Sequence, residues 1–85
     1  MNVVYTREFV KEFTKLPNTV QKLYRKQEAL FKKDWRDPRL QVKKLTNHPY
    51  PFSFRITRAY RVLFVFVDTE TVLFATIGHR KEIYK

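Results

Sequence analysis

The chain has no cysteine. That excludes a disulfide scaffold, a thiol nucleophile and any thiolate metal site, and it suits a reducing compartment. It has one glycine, so few positions can need a positive φ, and no glycine-rich phosphate loop is present. Two histidines, His48 and His79, lie far apart and have no clustered carboxylates beside them. This is a poor zinc set, and no metal or other cofactor is expected. No Ser-His-Asp order is present. Long apolar runs are also missing. The longest, Val62–Val67, has the length of a strand, not of a membrane span or a signal-peptide core. A cytoplasmic location is expected.

Acidic residues are scarce: eight Asp and Glu face eighteen Lys and Arg, for a net charge of +10. Such a field favours polyanions, with RNA, DNA and acidic proteins as candidate partners. Residues 1–38 carry nine cations against five anions, and residues 39–85 carry nine against three. The second half is richer in strands, where side chains sit at fixed positions, as a site requires. The 85 residues suit one domain, expected over 1–85. A chain this short buries only roughly 60–65% of its unfolded surface. Eight Phe, five Tyr and one Trp make an economical core, because aromatics bury large areas per residue.

The local pattern predicts an α+β fold. Asn2–Tyr5 reads as a strand, and Thr6 fits the N-cap of a helix with Glu8 in its first turn. Phe9, Val10, Phe13 and Leu16 recur at helical spacing until Pro17 stops the run. Val20, Leu23, Tyr24, Gln27, Leu30 and Phe31 make the apolar stripe of a second helix that should end near Lys33 or Asp34. The two helices form a hairpin. Asp37–Pro51 is a loop with room for a short helical or extended piece around Leu40–Leu45. Three strands follow as an antiparallel meander: Phe52–Thr57, Tyr60–Val67 and Thr71–Ile77. In the first, Phe52, Phe54 and Ile56 face one side while Ser53, Arg55 and Thr57 face the other. The helices should pack on one face of the sheet, where the apolar faces can meet.

Candidate chemistry gathers around the meander: Lys43, Lys44, Arg55, Arg58, Arg61, Arg80 and Lys81. Antiparallel pairing brings Arg55 and Arg61 near each other. Two guanidinium groups side by side call for an anion between them, and phosphate matches Arg oxygens two at a time. The same residues are also what a solvated basic surface would show. The tail, Gly78-His79-Arg80-Lys81-Glu82-Ile83-Tyr84, adds an imidazole that can exchange protons near neutral pH and a phenol that can stack on a base. Gly78 is expected to turn the chain off the last strand, so that His79 and Arg80 reach back over the sheet. His79 is then the candidate for proton transfer, with Glu82 as the fallback base. The plainer reading makes His79 a polar strand end and Tyr84 an anchor for the tail.

The tail resembles the closing motif of RelE-type toxins: a glycine, an arginine, and a tyrosine four residues after it. Phe52-Ser53-Phe54-Arg55-Ile56 with Tyr60-Arg61-Val62-Leu63-Phe64 is similar to the family's two central strands. The likeness covers nearly the whole chain. It implies the toxin of a type II toxin–antitoxin system, a ribosome-dependent endoribonuclease that cuts mRNA without a metal. The RNA 2′-hydroxyl would attack the neighbouring phosphate. Arg61 and Arg80 would hold phosphate charge, and Tyr84 would orient or stack the nucleotide. Arg55 and Ser53 fall where better-known members have lysines, and arginine is a poor general base. An acidic antitoxin, the ribosome and mRNA are the implied partners. Val3, Tyr5, Trp35 and the outer helix faces are candidate anchor points for the antitoxin. ParE-type gyrase inhibitors share this fold, and a non-catalytic RNA-binding module is the third reading.

Overall fold

Thr6 ends the first strand and starts the first helix. Its backbone is extended (φ −76°, ψ 163°), and its hydroxyl accepts from the Phe9 N–H. The same hydroxyl donates 2.5 Å to the Ala75 carbonyl, so one side chain caps a helix and ties it to the far end of the chain. Thr6→Ala removes both bonds. Caps of this kind are worth about 0.5–2 kcal/mol, and with the second bond also lost the cost should lie in the upper half of that range, read as a lower midpoint in urea.

A computed structural model describes residues 1–84 of the chain. β1 (Asn2–Tyr5) leads into α1 (Arg7–Thr14) and α2 (Asn18–Lys33). After them come a 3₁₀ turn (Pro38–Leu40), β2 (Lys43–Lys44), β3 (Phe52–Arg55), β4 (Tyr60–Phe66), β5 (Thr71–His79) and the single turn α3 (Arg80–Ile83). The α+β class and the helical hairpin agree with the sequence reading. The Asp37–Pro51 segment holds both a helical turn and a short strand, so the meander has four strands, not three. The sheet runs β1-β5-β4-β3-β2, with β1 parallel to β5 and every other pair antiparallel.

Phe9, Val20, Tyr24 and Phe31 from the helices meet Phe54, Val62, Phe64, Val72, Phe74 and Ile77 from the sheet. Phe31 is the hub. Its ring lies 5.1 Å from each of Phe54, Phe64 and Phe74. Trp35 closes the edge of this core, edge-on to Phe66 at 5.0 Å. Because side chains alternate along a strand, Arg55 and Arg61 project from the opposite, helix-free face.

Two expected boundaries move. β3 stops at Arg55, because the Thr57 hydroxyl accepts from the N–H groups of Ala59 and Tyr60 and folds the chain into a turn. β5 runs two residues past Ile77, through Gly78, which pairs with Arg61, and His79, which pairs with Tyr60. Gly78 is therefore not where the chain leaves the strand, and it has no positive φ. Its lack of a side chain serves close packing: a Cβ there would stand 2.8 Å from Ile83 Cγ2. The positive φ angles belong instead to Gln41 (44°) and Asn47 (54°).

Beside the core, the Tyr5 hydroxyl donates 2.6 Å to Glu28 Oε2, the oxygen that also accepts from the Tyr24 hydroxyl. Lys32 Nζ lies 3.5 Å from the other oxygen. Burial, then the Glu28 carboxylate, push the Tyr5 phenol up to about 12. A raised phenol pKa favours the neutral form in the folded chain. Its stabilisation is whole below about pH 10 and is lost as pH rises through about 12. A phenolate absorbance titration should show a late tyrosine that Tyr5→Phe removes and Glu28→Gln moves to lower pH.

Candidate functional site

β3 and β4 set Arg55 directly opposite Arg61. The turn between them carries Arg58. α3 begins where the Arg80 N–H donates 2.7 Å to the Ala59 carbonyl, which fixes Arg80 beside that turn. On the other flank, β2 pairs Lys43 with Ser53. These elements enclose a cleft of about 240 Å³ lined by Gln41, Lys43, Arg55, Arg58, Arg61, Arg80 and Tyr84. Five of the seven lining residues are cations, and none is a carboxylate. The three ion pairs among the described residues lie elsewhere, at Lys15–Glu12, Lys32–Glu28 and Arg39–Asp37.

Arg61 is the buried member, 7% exposed. Its Nε–H donates 3.0 Å to Ser53 Oγ, and Nη2 donates 2.6 Å to the Gln41 carbonyl. Burial lowers its pKa, with the neighbouring Arg55 charge adding to the effect and the Tyr84 phenol opposing it. Arginine titrates so high that it remains a cation. What the site lacks is counter-charge. A phosphodiester placed there would meet guanidinium groups on several sides, with no carboxylate to repel it.

The structure brings together six of the residues singled out from the sequence: Lys43, Arg55, Arg58, Arg61, Arg80 and Tyr84. It leaves four outside. Lys44 and Lys81 are exposed and do not line the cleft. His79 does not reach the array, contrary to the expectation from Gly78. Its ring packs edge-on to Tyr60 at 5.5 Å, and its Nδ1 accepts from the Lys81 N–H, capping α3. Glu82 points to a different hollow, shared with Glu8 and Glu12. Gln41 was not among the candidates, and Ser53 entered only as standing where better-known RelE-type members have a lysine. A serine between two phenylalanines reads as a solvent-facing strand position, and the left-handed turn at Gln41 has no glycine to announce it.

No family model matches the sequence, and no curated protein matches it significantly. Solved structures match its fold. A chain of the RelB–RelE antitoxin–toxin complex from Methanococcus jannaschii superposes with a TM-score of 0.75 at 22% identity, covering 95% of this chain and 94% of that one. The intact Escherichia coli RelBE complex gives 0.70 at 21%, over 92% and 94%. The E. coli DinJ–YafQ complex gives 0.76 at only 8%, over 99% and 98%. The chain has the RelE-type toxin fold.

Proposed function

We propose that the chain is the toxin of a type II toxin–antitoxin pair and that its cleft cleaves RNA. The observation that carries this is the cleft itself: five cations and a tyrosine around a space without a carboxylate. The 2′-oxygen attacks the adjacent phosphorus, and the bond from phosphorus to the 5′-oxygen breaks. The products are a 2′,3′-cyclic phosphate and a 5′-hydroxyl. Arg61 and Arg80 stabilise the extra negative charge that builds on the phosphoryl oxygens. Tyr84 stacks on or orients the base beside the cut. His79 is committed to capping α3, so proton transfer by an imidazole has no support from its position. The 2′-hydroxyl proton then passes to solvent and a solvent proton reaches the leaving oxygen. Catalysis by the chain rests on charge. A substrate held in place by a larger partner suits such a site, and we take it to be mRNA on the ribosome.

The inhibitor we propose is an acidic antitoxin. The net charge of +10 favours it. So does a mostly apolar groove of about 240 Å³ on the helical side, where Tyr5, Phe9, Val10, Phe13 and Tyr24 are joined by Arg25 and Glu28. The neighbouring folds from M. jannaschii and E. coli were solved with their antitoxins.

Primer extension on mRNA in a translation extract, with and without ribosomes, tests the reading. Cuts that require ribosomes are expected, and His79→Ala should cut at close to the parent rate. Inhibition of DNA supercoiling with intact mRNA would replace this reading with the gyrase-inhibitor one. Affinity for a single-stranded RNA should fall steeply with salt. Arg80→Ala should reduce the log–log slope by about 0.7, one phosphate contact. A slope equal to the parent's would remove Arg80 from the RNA path.

A further inference from the structure

Arg61 is held before any ligand arrives. A long side chain normally loses considerable rotamer freedom when it is fixed on a ligand. Here that freedom is already gone. Ser53 Oγ, itself 0% exposed, takes the Nε–H. The Gln41 carbonyl takes an Nη2–H. Two of the five guanidinium donors are used, and the remaining three, both on Nη1 among them, are those that Arg61 can offer to an anion. No buried polar side-chain atom among the described residues lacks a partner. The hold is therefore complete from the protein side.

Its two halves come from different parts of the chain. Ser53 stands on β3, opposite Leu63 and flanking Arg55. Gln41 closes the 3₁₀ turn at φ 44° and ψ 54°. That left-handed conformation is strained for a non-glycine residue. The Gln41 side chain is not what bonds Arg61; its backbone carbonyl is.

We propose that Ser53 and Gln41 are positioning residues. They fix the Arg61 guanidinium in one orientation and aim its free edge at an RNA phosphate. This rests on the RNA-cleaving reading above for the identity of the anion, and on the geometry alone for the hold. Arginine is required at residue 61 for shape as well as charge. A lysine keeps the charge but has no planar Nε–Nη2 edge to fill both acceptors.

The hold is read first on the free chain, through the nitrogen-bound protons of its arginine side chains by NMR. One slowly exchanging Nε–H is expected, assigned to Arg61 by its absence in Arg61→Lys. Ser53→Ala should abolish its protection from exchange, and Ser53→Thr, which keeps the hydroxyl, should restore it. Gln41→Gly, which suits a positive φ, should keep the signal, whereas Gln41→Pro, which cannot adopt that φ, should lose it. An Arg61 signal equally protected in Ser53→Ala overturns the proposal. The second readout is binding of a 2′-O-methyl single-stranded RNA, which cannot be cut. Ser53→Ala should weaken it about tenfold, yet have no further effect when Arg61 is already alanine. Additive losses in that double-mutant cycle would show that Ser53 acts apart from Arg61 and also overturn the proposal. A protected parent signal with no RNA binding would instead sink the RNA reading and leave the hold standing.

Discussion

Arg61→Ala is expected to slow mRNA cleavage on programmed ribosomes by about 10²–10³-fold, the loss typical of removing one preorganised donor to a developing oxyanion. The residue has the burial, the fixed orientation and the position opposite Arg55 that such a role needs. Charge at a 7% exposed site is worth more than the same charge in water, because less solvent screens it. Arg61→Lys should recover only part of the rate, since its ammonium cannot hold both protein acceptors and present a flat edge outward. Single-turnover cleavage measures the effect. Circular dichroism must show both variants folded, because Arg61→Ala also strips Ser53 Oγ and the Gln41 carbonyl of their donor. A folded Arg61→Ala that cuts within threefold of the parent would place the chemistry outside this cleft.

Phe31→Ala should be the most damaging single change to the fold. Phe31 is 0% exposed and sits at 5.1 Å from three other rings, bridging α2 to β3, β4 and β5. Truncating a buried phenylalanine typically costs about 3–5 kcal/mol, from lost transfer energy and the cavity left behind. Domains of this size have total stabilities of about 5–15 kcal/mol. Each kcal/mol moves the midpoint by about 4–8 °C in a 60–100-residue domain. The variant should therefore melt at least about 12 °C below the parent, by calorimetry or circular dichroism. A shift of under 5 °C would mean that the neighbouring rings collapse into the space, and that Phe31 is not the keystone of the core. Phe31→Leu, which refills much of the volume, should lose less than half as much.

The helices were legible because their apolar residues repeat at i, i+3 and i+4 with prolines at the boundaries, as Val20, Tyr24, Phe31 and Pro17 show. Strand identity was legible from alternation. Strand partnership was less so. β1 pairs in parallel with β5, and no local pattern in Asn2–Tyr5 names a partner some seventy residues away. The cationic members of the cleft stood out because Arg55 and Arg61 flank a short turn. The groups that orient them did not. Ser53 looks like a solvent-facing residue until Arg61 lies across it, and a backbone carbonyl such as that of Gln41 has no signature in sequence at all. Gly78 was misread because a lone glycine suggests a bend. Its actual demand comes from Ile83, five residues later, which packs where a side chain would be.

The parallel pairing of β1 with β5 also sets an order in time. Residues 2–5 lie against 71–74, and the Thr6 hydroxyl reaches Ala75. On a chain emerging from its own ribosome, the first strand has no partner until residues 71–74 have been made. Contacts so distant in sequence form late, after the local helices, because loop closure precedes any gain from the pairing. The cleft depends on the same late segment for Arg80 and Tyr84. A chain that lacks residues 71–84 therefore has the sequence of the helical hairpin but not the cleft.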